Sequence, residues 1–567
     1  MAKITRRKLF GLVGGTAGLA ACAAPDARDG AKPELYSGSV SFNHGVASGD
    51  PLSDRVILWT RVTPAADESG PIPVTWTIYA EDGERVIDAR SVQTSAATDF
   101  CVKIDAEGLE PGTVYLYEFA VNTPSGPITS PRGRTKTTSA SGGAPVVLAA
   151  VSCSNWHFGY FNGYAVLAER NDLDAIVHLG DYFYEYGIDG YGAETAQKLG
   201  RLHDPITETV TLADYRMRHA QYKTDPDLQA AHAAAPWICT WDDHESTNNS
   251  YRTGAQNHNP EEGEGDWSDR KQVAVQAYLE WMPVRDPQRG EFRESIYRTF
   301  QFGDVATVFA LESRLTGRSD EISWFTEIGG LEPAQVPMAA MRTMARVTDP
   351  TRTLLGDVQE EWLAEGLKDS ASNGVAWQVL ANQVVMARVR PPNFRQTLSD
   401  EQIAAQDVGY IQQLIEFSQL GMPWNLDAWD GFPAARDRLY SDAKDAGARL
   451  VTLTGDTHTA WANTLVDKDG ERRGVEFGCT SITSPGFGAY VRDIPDVGSL
   501  FVEANPEVDH YDPFGSGVTV VTLTPDTVSA EYHKVSTVET REYQVADAGV
   551  FESRRDGDGL TALTRKI

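Results

Sequence analysis

Apolar runs in the middle of this chain stop abruptly at clusters of polar and acidic residues. Val146–Val151 ends at Ser152-Cys153-Ser154-Asn155, and Ala175-Ile176-Val177 runs into His178-Leu179-Gly180-Asp181-Tyr182-Phe183-Tyr184. Trp237-Ile238-Cys239-Thr240-Trp241 leads into Asp242-Asp243-His244-Glu245, and Leu450–Thr454 into Gly455-Asp456-Thr457-His458. Short continuous apolar runs bounded by turn residues read as strands buried on both faces. Between them, Phe161, Tyr164, Ala165 and Ala168 follow the i, i+3, i+4, i+7 spacing of a helix packed on a sheet. A second helical stretch spans 212–232, interrupted near Asp225-Pro226. From Ala144 onward the alternation of strands and helices predicts an α/β domain, with later strands at 305–311, 377–381, 475–479 and 518–523. In open α/β sheets, functional groups gather beyond the carboxyl ends of the strands. Four strands that each end in metal-competent residues predict one shared metal site.

The region before Ala144 has a different rhythm. Residues 40–140 carry short runs, several of them alternating, separated by Asp, Gly and Pro turns, and read as an all-β module. Its segment Leu109-Glu110-Pro111-Gly112-Thr113-Val114-Tyr115-Leu116-Tyr117 resembles the tyrosine corner of fibronectin type III or immunoglobulin-like sandwiches. Residues 135–143 read as a linker, 144–545 as the catalytic domain, and the acidic stretch 257–269 as a surface loop. The polar end of the chain, 546–567, reads as a loosely held tail.

At 567 residues the chain is too long for one core. Its formal charge of −30 argues against nucleic acid or an anionic membrane as the main partner. It does not argue against an anionic substrate, because bound cations reverse the local field. Residues 1–30 read as an export segment that leaves no transmembrane span in the mature protein. Lys3, Arg6, Arg7 and Lys8 form a basic start, and the apolar run 9–24 is short and rich in Gly and Ala. Arg6-Arg7 before Leu9-Phe10 resembles a twin-arginine signal, so the export machinery of that name is an expected partner. Leu19-Ala20-Ala21-Cys22 resembles a lipoprotein box with Cys22 lipidated; cleavage at a nearby Ala-x-Ala site is the alternative. The protein is thus expected to be periplasmic, secreted or lipid-anchored. The remaining cysteines, Cys101, Cys153, Cys239 and Cys479, form no CxxC pair, which excludes a disulfide scaffold or a zinc-finger array.

At the strand ends, Asp181 is the pivotal group, because a carboxylate can bridge two cations. Tyr184 can return to the same metal as a phenolate. A phenol titrates near ~10 in water, so a strongly Lewis-acidic ion such as ferric iron is needed to hold it ionised. Cys153 adds a thiolate, favouring iron or zinc over calcium or magnesium. The plain alternatives are a buried tyrosine and a small core cysteine. Asp456 and His458 occupy alternate positions and can each face one metal. Asp243 can hold the harder ion, with His244 beside the leaving group. The acidic cluster at 242–245 would alternatively cap a helix. This constellation implies metal-assisted phosphate-ester hydrolysis, with a metal-bound hydroxide as nucleophile and His244 stabilising the transition state or protonating the leaving alkoxide. Arg216 and Arg218 can hold phosphate or simply sit on the surface.

With these motifs the chain resembles the alkaline phosphatase D family of PhoD-like phosphatases and phosphodiesterases. Gly45-Val46-Ala47-Ser48-Gly49-Asp50-Pro51, Trp59-Thr60-Arg61 and Thr224-Asp225-Pro226-Asp227-Leu228-Gln229 fit it as well. The resemblance runs from about residue 42 to beyond 458. It implies a sandwich followed by a four-layer metallophosphoesterase domain, with Fe(3+) and Ca(2+) at the site. Carried over by motif, Cys153, Asp181, Tyr184 and His458 look like iron ligands. Asp181 would bridge to calcium, with Asp243 and Asp456 on that side and Asn155, Asn248 and Asn249 as further oxygen donors. The first, middle and last motifs depart from the wider superfamily, which leaves the calcium ligands less defined. The same machinery would serve phosphate mono- and diesters or a phospholipase D-type diester. A surface binding protein with an inactive phosphoesterase domain is the reading from another class.

Overall fold

The computed structural model describes residues 34–566 apart from 66–67, 69, 289, 333, 407–408, 492–493 and 495. The export segment and Cys22 lie outside the described residues. Two large sheets carry the site. In the first, Val146–Val151, Ala175–His178 and Trp237–Cys239 run parallel. Val146–Val151 also pairs antiparallel with Ser516–Leu523. In the second, Ala306–Ala310, Trp377–Ala381, Leu450–Thr454 and Arg472–Gly478 are parallel neighbours.

Strand alternation explains how these sheets stack. Leu148 and Ala150 point inward, where they share a cluster with Val308, Val379 and Val451 of the other sheet. Ala149 and Val151 point outward against Phe161, Tyr164 and Leu167, next to the helix Asn162–Ala168. On the second sheet, Phe309 and Leu380 face outward onto Leu363 and Leu367 of the helix Asp357–Ser372. Both faces of each central strand are covered, which is why the runs are apolar throughout. Each fully buried Val or Leu contributes roughly 1.5–3 kcal/mol.

The four motif-bearing strands do not belong to one sheet. Three lie in the first and Leu450–Thr454 lies in the second, so the shared site forms at the rim between two sheets.

The N-terminal region is also less separate than its sequence pattern indicates. Ile72–Ala80, Val86–Thr94, Val114–Thr123, Gly126–Thr129 and Gly133–Lys136 form one sheet. Trp76, Tyr117 and Phe119 from it share a core with Val46, Leu58 and Val102. Those three belong to Val46–Gly49, Arg55–Arg61 and Cys101–Glu107, which continue into the first large sheet because Val46–Gly49 pairs parallel with Trp237–Cys239. A Cβ at Gly49 would lie 2.2 Å from the Pro283 carbonyl oxygen, so no larger residue fits there. Asp50 then closes the junction by pairing with Arg298 at 2.6 Å.

Three sequence expectations are corrected here. Thr135 and Lys136, expected in a linker, belong to the strand Gly133–Lys136. Residues 267–269, expected in a surface loop, open the helix Trp267–Trp281. Much of the expected loose tail 546–567 is sheet: Val545–Asp556 pairs with Thr527–Val535, and Thr564–Arg565 folds back onto it. Its inward face is Gly549, Phe551 and Ser553, with one large hydrophobe among them, and so gives little apolar signal. Among the described residues no helix is long and apolar enough to cross a membrane.

Candidate metal centre

The turns that follow the motif strands are held in an uncommon backbone conformation. Cys153, Asp181, Asp456 and His458 have φ of 61°, 56°, 62° and 59°, although none is glycine. Side chains in this left-handed region cost free energy and persist where the surroundings hold them. Cross-links between the turns supply that hold. The Cys153 amide donates to Gly180 O at 3.2 Å and the Ser154 amide to Asp181 O at 2.8 Å. The buried carboxylate of Glu245 accepts from the amides of Asp181, Tyr182 and Asp242 at 3.0, 2.7 and 2.9 Å. A Cβ at Gly180 would lie 2.3 Å from the Asp242 nitrogen, so glycine is what lets these two turns touch.

The side chains then converge. Ligand atoms of Cys153, Asp181 and His458 lie within 4.8 Å of one another, as do those of Asp181, Asp243 and His244. Asp181 belongs to both groups. Its Oδ1 is buried with no hydrogen-bond partner. Its Oδ2 accepts from the Tyr184 hydroxyl at 3.2 Å and lies 3.5 Å from the Cys153 sulfur. The Tyr184 hydroxyl is also 3.0 Å from His458 Nε2 and receives a hydrogen bond from Ser484 at 2.8 Å. His458 Nδ1 is 3.1 Å from the Pro485 carbonyl, so its proton belongs there and Nε2 is left as a lone pair facing the cluster. His244 Nδ1 meets the buried Glu185 carboxylate at 2.6 Å. Glu185 itself accepts from the Asn248 amide and the Asn257 side chain.

Electrostatics show what the cluster lacks. Burial raises the Asp181 carboxyl well above its usual range, and Asp243, Asp242 and Glu245 add to the rise against the opposing effect of His244. Burial, then the Asp181 charge, pushes the Cys153 thiol and the Tyr184 phenol upward. Asp456 is raised by burial and by Asp242 and Asp427. Asp243 is held below the usual range: burial opposes its charge, but Arg314 and His244 outweigh it. The His244 imidazole is raised despite burial, by Asp243, Glu185 and Asp181. Buried acids gathered without enough positive charge are the environment a bound cation relieves. The orphaned Asp181 oxygen and a thiol, phenol, imidazole and carboxylate donor set fit a metal pair.

Sequence reasoning missed Arg314. This fully buried arginine donates Nε to Asp242 and Nη1 to Asp427, at 2.5 and 3.0 Å. Its Nη2 makes no hydrogen bond and faces Asp243 and Asp456 at 3.9 and 3.8 Å. The signal was present: it follows the strand Ala306–Ala310, a fifth apolar run that ends in charge, at Glu312-Ser313-Arg314. Arg216, expected to hold phosphate, does not reach the site. Glu280 engages it at 2.7 and 2.8 Å, and Ala97 O takes a third bond, because its helix face looks toward the N-terminal region. Arg218 is buried and donates to the carbonyls of Tyr184, Asp204, Pro205 and Thr207, fixing the Tyr184 turn rather than a substrate. No helix starts at 242–245; that acidic segment is a set of turns. Asn249 donates its amide to Asp243 and its side chain to Glu321 at 2.6 Å each. Asn248 pairs with Gln256, and the Asn155 oxygen accepts from the His157 amide.

Comparison with known proteins gives a consistent result. The family model described as PhoD-like phosphatase matches residues 148–532, and the model for the N-terminal domain of PhoD-like phosphatases matches residues 28–139. The chain is 34% identical over 542 residues to alkaline phosphatase D of Bacillus subtilis (strain 168), covering 93% of this chain and 83% of that protein. A solved structure described as that of PhoD superposes with a TM-score of 0.73 at 31% identity, covering 94% of each chain.

Proposed function

From the premise that this chain belongs to the PhoD-like phosphatase family and is a phosphoester-hydrolysing enzyme, we propose a secreted, metal-dependent hydrolase of phosphate mono- and diesters. The observation that carries the reading is the sharing of Asp181 by two donor groups. Cys153, Tyr184 and His458, with Asp181, would hold a ferric ion. Asp243 and Asp456, with Asp181, would hold calcium. When bound, such a pair supplies Lewis acidity, neutralising phosphoryl oxygens and making water nucleophilic near neutral pH. The N-terminal region is read as a sandwich and the remainder as a helix–sheet–sheet–helix stack. Export by the twin-arginine route fits the basic start of the chain, with Cys22 as a lipidation site.

The protein's own groups then position and protonate. Glu185 fixes the His244 ring through Nδ1, which leaves Nε2 as the nitrogen that meets the ester. From there His244 donates to a phosphoryl oxygen or to the departing alkoxide. Arg314 Nη2, unpartnered beside Asp243 and Asp456, adds a fixed positive group at the same rim. Glu245 holds the Asp181 and Asp242 turns in register, so the donors are set before substrate arrives.

The test is metal analysis of protein purified without added metal, with assays on p-nitrophenyl phosphate and bis-p-nitrophenyl phosphate. Iron with calcium, a visible absorption lost in Tyr184→Phe, and hydrolysis of both esters are expected. Protein that binds no metal and cleaves neither ester after reconstitution overturns the proposal.

A further inference from the structure

A cavity of about 400 Å³ opens directly beside the metal centre. Its polar end includes Asp456 and His458, the two candidate ligands from the second sheet. Most of the rest of its wall is apolar, with Ile322, Trp324, Phe325, Trp424, Leu426 and Phe487 among polar groups such as Asn249, Ser323 and Asn425. Three further acids lie in that wall, each with a partner; Glu321 accepts from the Asn249 side chain at 2.6 Å. Asp427 pairs with Arg314 and Arg318, and Asp430 pairs with Arg436. Phosphate needs none of this apolar lining, and an ester with a small polar alcohol would leave it facing water.

The aromatic wall is held rigidly. Trp424 packs edge-on against Phe487 with centroids 5.2 Å apart, and against Phe501 at 5.0 Å. Trp324 donates its indole N–H to Pro423 O at 2.9 Å and packs on Phe417 at 4.8 Å. Both tryptophans are half-buried, with one side in the core and the other available to the cavity. At the mouth, Phe325 is 73% exposed. Large aromatic groups left in contact with solvent around a concave, mostly apolar space are the usual construction of a ligand subsite.

We infer that this cavity is the subsite for an apolar alcohol arm of the ester, so that the substrates are phosphate esters of alkyl, acyl-bearing or aryl alcohols. The inference rests on the proposed phosphoesterase reading and adds the identity of the group attached to phosphorus. Asp456 and His458 place the phosphate end, and the tryptophan and phenylalanine wall takes the organic end. Each methylene buried there raises kcat/KM by up to about fourfold, the equivalent of about 0.8 kcal/mol.

The experiment uses the metal-loaded full chain and two homologous series. The first is n-alkyl phosphates from methyl to octyl, in which the alkyl arm leaves. The second is n-alkyl p-nitrophenyl phosphates, in which it stays. Glycerol phosphate serves as the polar match in size. A kcat/KM that climbs with chain length in either series, well above glycerol phosphate, supports the subsite, and the series that climbs identifies which arm it holds. Phe325→Ala, at the exposed mouth where folding is not at risk, is expected to reduce the slope. Hydrolysis that is flat with chain length in both series overturns the subsite while leaving the phosphoesterase intact. Failure to cleave even methyl phosphate and p-nitrophenyl phosphate would overturn the underlying reading instead. Phenyl against cyclohexylmethyl phosphate then separates an aromatic arm from an aliphatic one.

Discussion

On one side of Asp181 stand a thiol, a phenol and an imidazole; on the other stand the carboxylates of Asp243 and Asp456 and the guanidinium of Arg314. On the first side burial pushes the thiol and the phenol toward their protonated forms, and the His458 imidazole toward its neutral form, down to about 4. The second side carries a built-in cation whose Nε and Nη1 donate to Asp242 and Asp427, while its Nη2 faces Asp243 and Asp456 without a hydrogen bond to either. Softer donors and a phenol call for a strongly Lewis-acidic transition metal, whereas oxygen-only donors suit a hard cation. On the proposed reading one carboxylate joins two sites of unlike chemistry, and each can be attacked without the other.

Removing the shared group gives the largest effect. Asp181→Asn is expected to lower kcat/KM by about a thousandfold or more, since loss of mere supporting partners typically costs 10–100-fold. Metal content should fall on both sides at once; loss of one metal alone would break the picture of a bridge. Arg314→Leu comes next. It leaves Asp242 buried without its partner and Asp427 with Arg318 alone, and should destabilise the fold by about 3–5 kcal/mol in chemical denaturation. An unchanged unfolding midpoint would show that Arg314 is not what neutralises these acids.

A buried carboxylate whose hydrogen-bond partners are amides sharpens the contrast. Glu476 is buried, accepts from the amides of Met386 and Ala387 and from Asn463, and is pushed by burial from 4.5 to about 7. Because its folded pKa lies above the unfolded one, the folded state binds the proton more tightly. Its contribution to stability is then greatest below pH 4.5 and is lost as pH rises to about 7, by roughly 3 kcal/mol across that window. Denaturation midpoints against pH, compared with Glu476→Gln, measure the slope. If the variant keeps the same slope, another group is titrating.

The selective pair is smaller. Tyr184→Phe should abolish the visible band and spare calcium, while Asp243→Asn should do the reverse, each lowering activity at least as much as loss of a supporting partner, about 10-fold or more. Equal loss of both metals in both variants would merge the two sides into one. Smallest of all, Arg216→Ala should leave KM for phosphate esters unchanged, because Glu280 already holds that guanidinium.

Much of the centre was legible because a strand buried on both faces must be apolar until it ends, so the first charged residues after it stand out. That is how Cys153, Asp181, Asp243, Asp456 and His458 were found. Arg314 obeys the same rule at the end of Ala306–Ala310, yet its partners Asp242 and Asp427 are 72 and 113 residues away. Its place after a strand separates it from Arg216, which pairs with Glu280 on a helix face, but no local pattern tells which acids it meets. The strand Val545–Asp556 was hidden for the opposite reason, since one of its faces is open and the other is built largely from Gly549 and Ser553.

The sequence by itself determined the strands, the turns that end them and the donors those turns carry, because these follow from hydrophobic period and from residue type at the strand end. Tertiary structure alone decided which strands share a sheet, that the N-terminal strands continue the catalytic one, and that the site lies between two sheets. It also decided that Arg314 lies beside Asp243 and Asp456, and that an aromatic cavity opens at Asp456 and His458. Those outcomes depend on pairings between residues far apart in the chain, where Gly49, Gly180 and a few buried charges permit close approach. Local pattern carries no record of such distances.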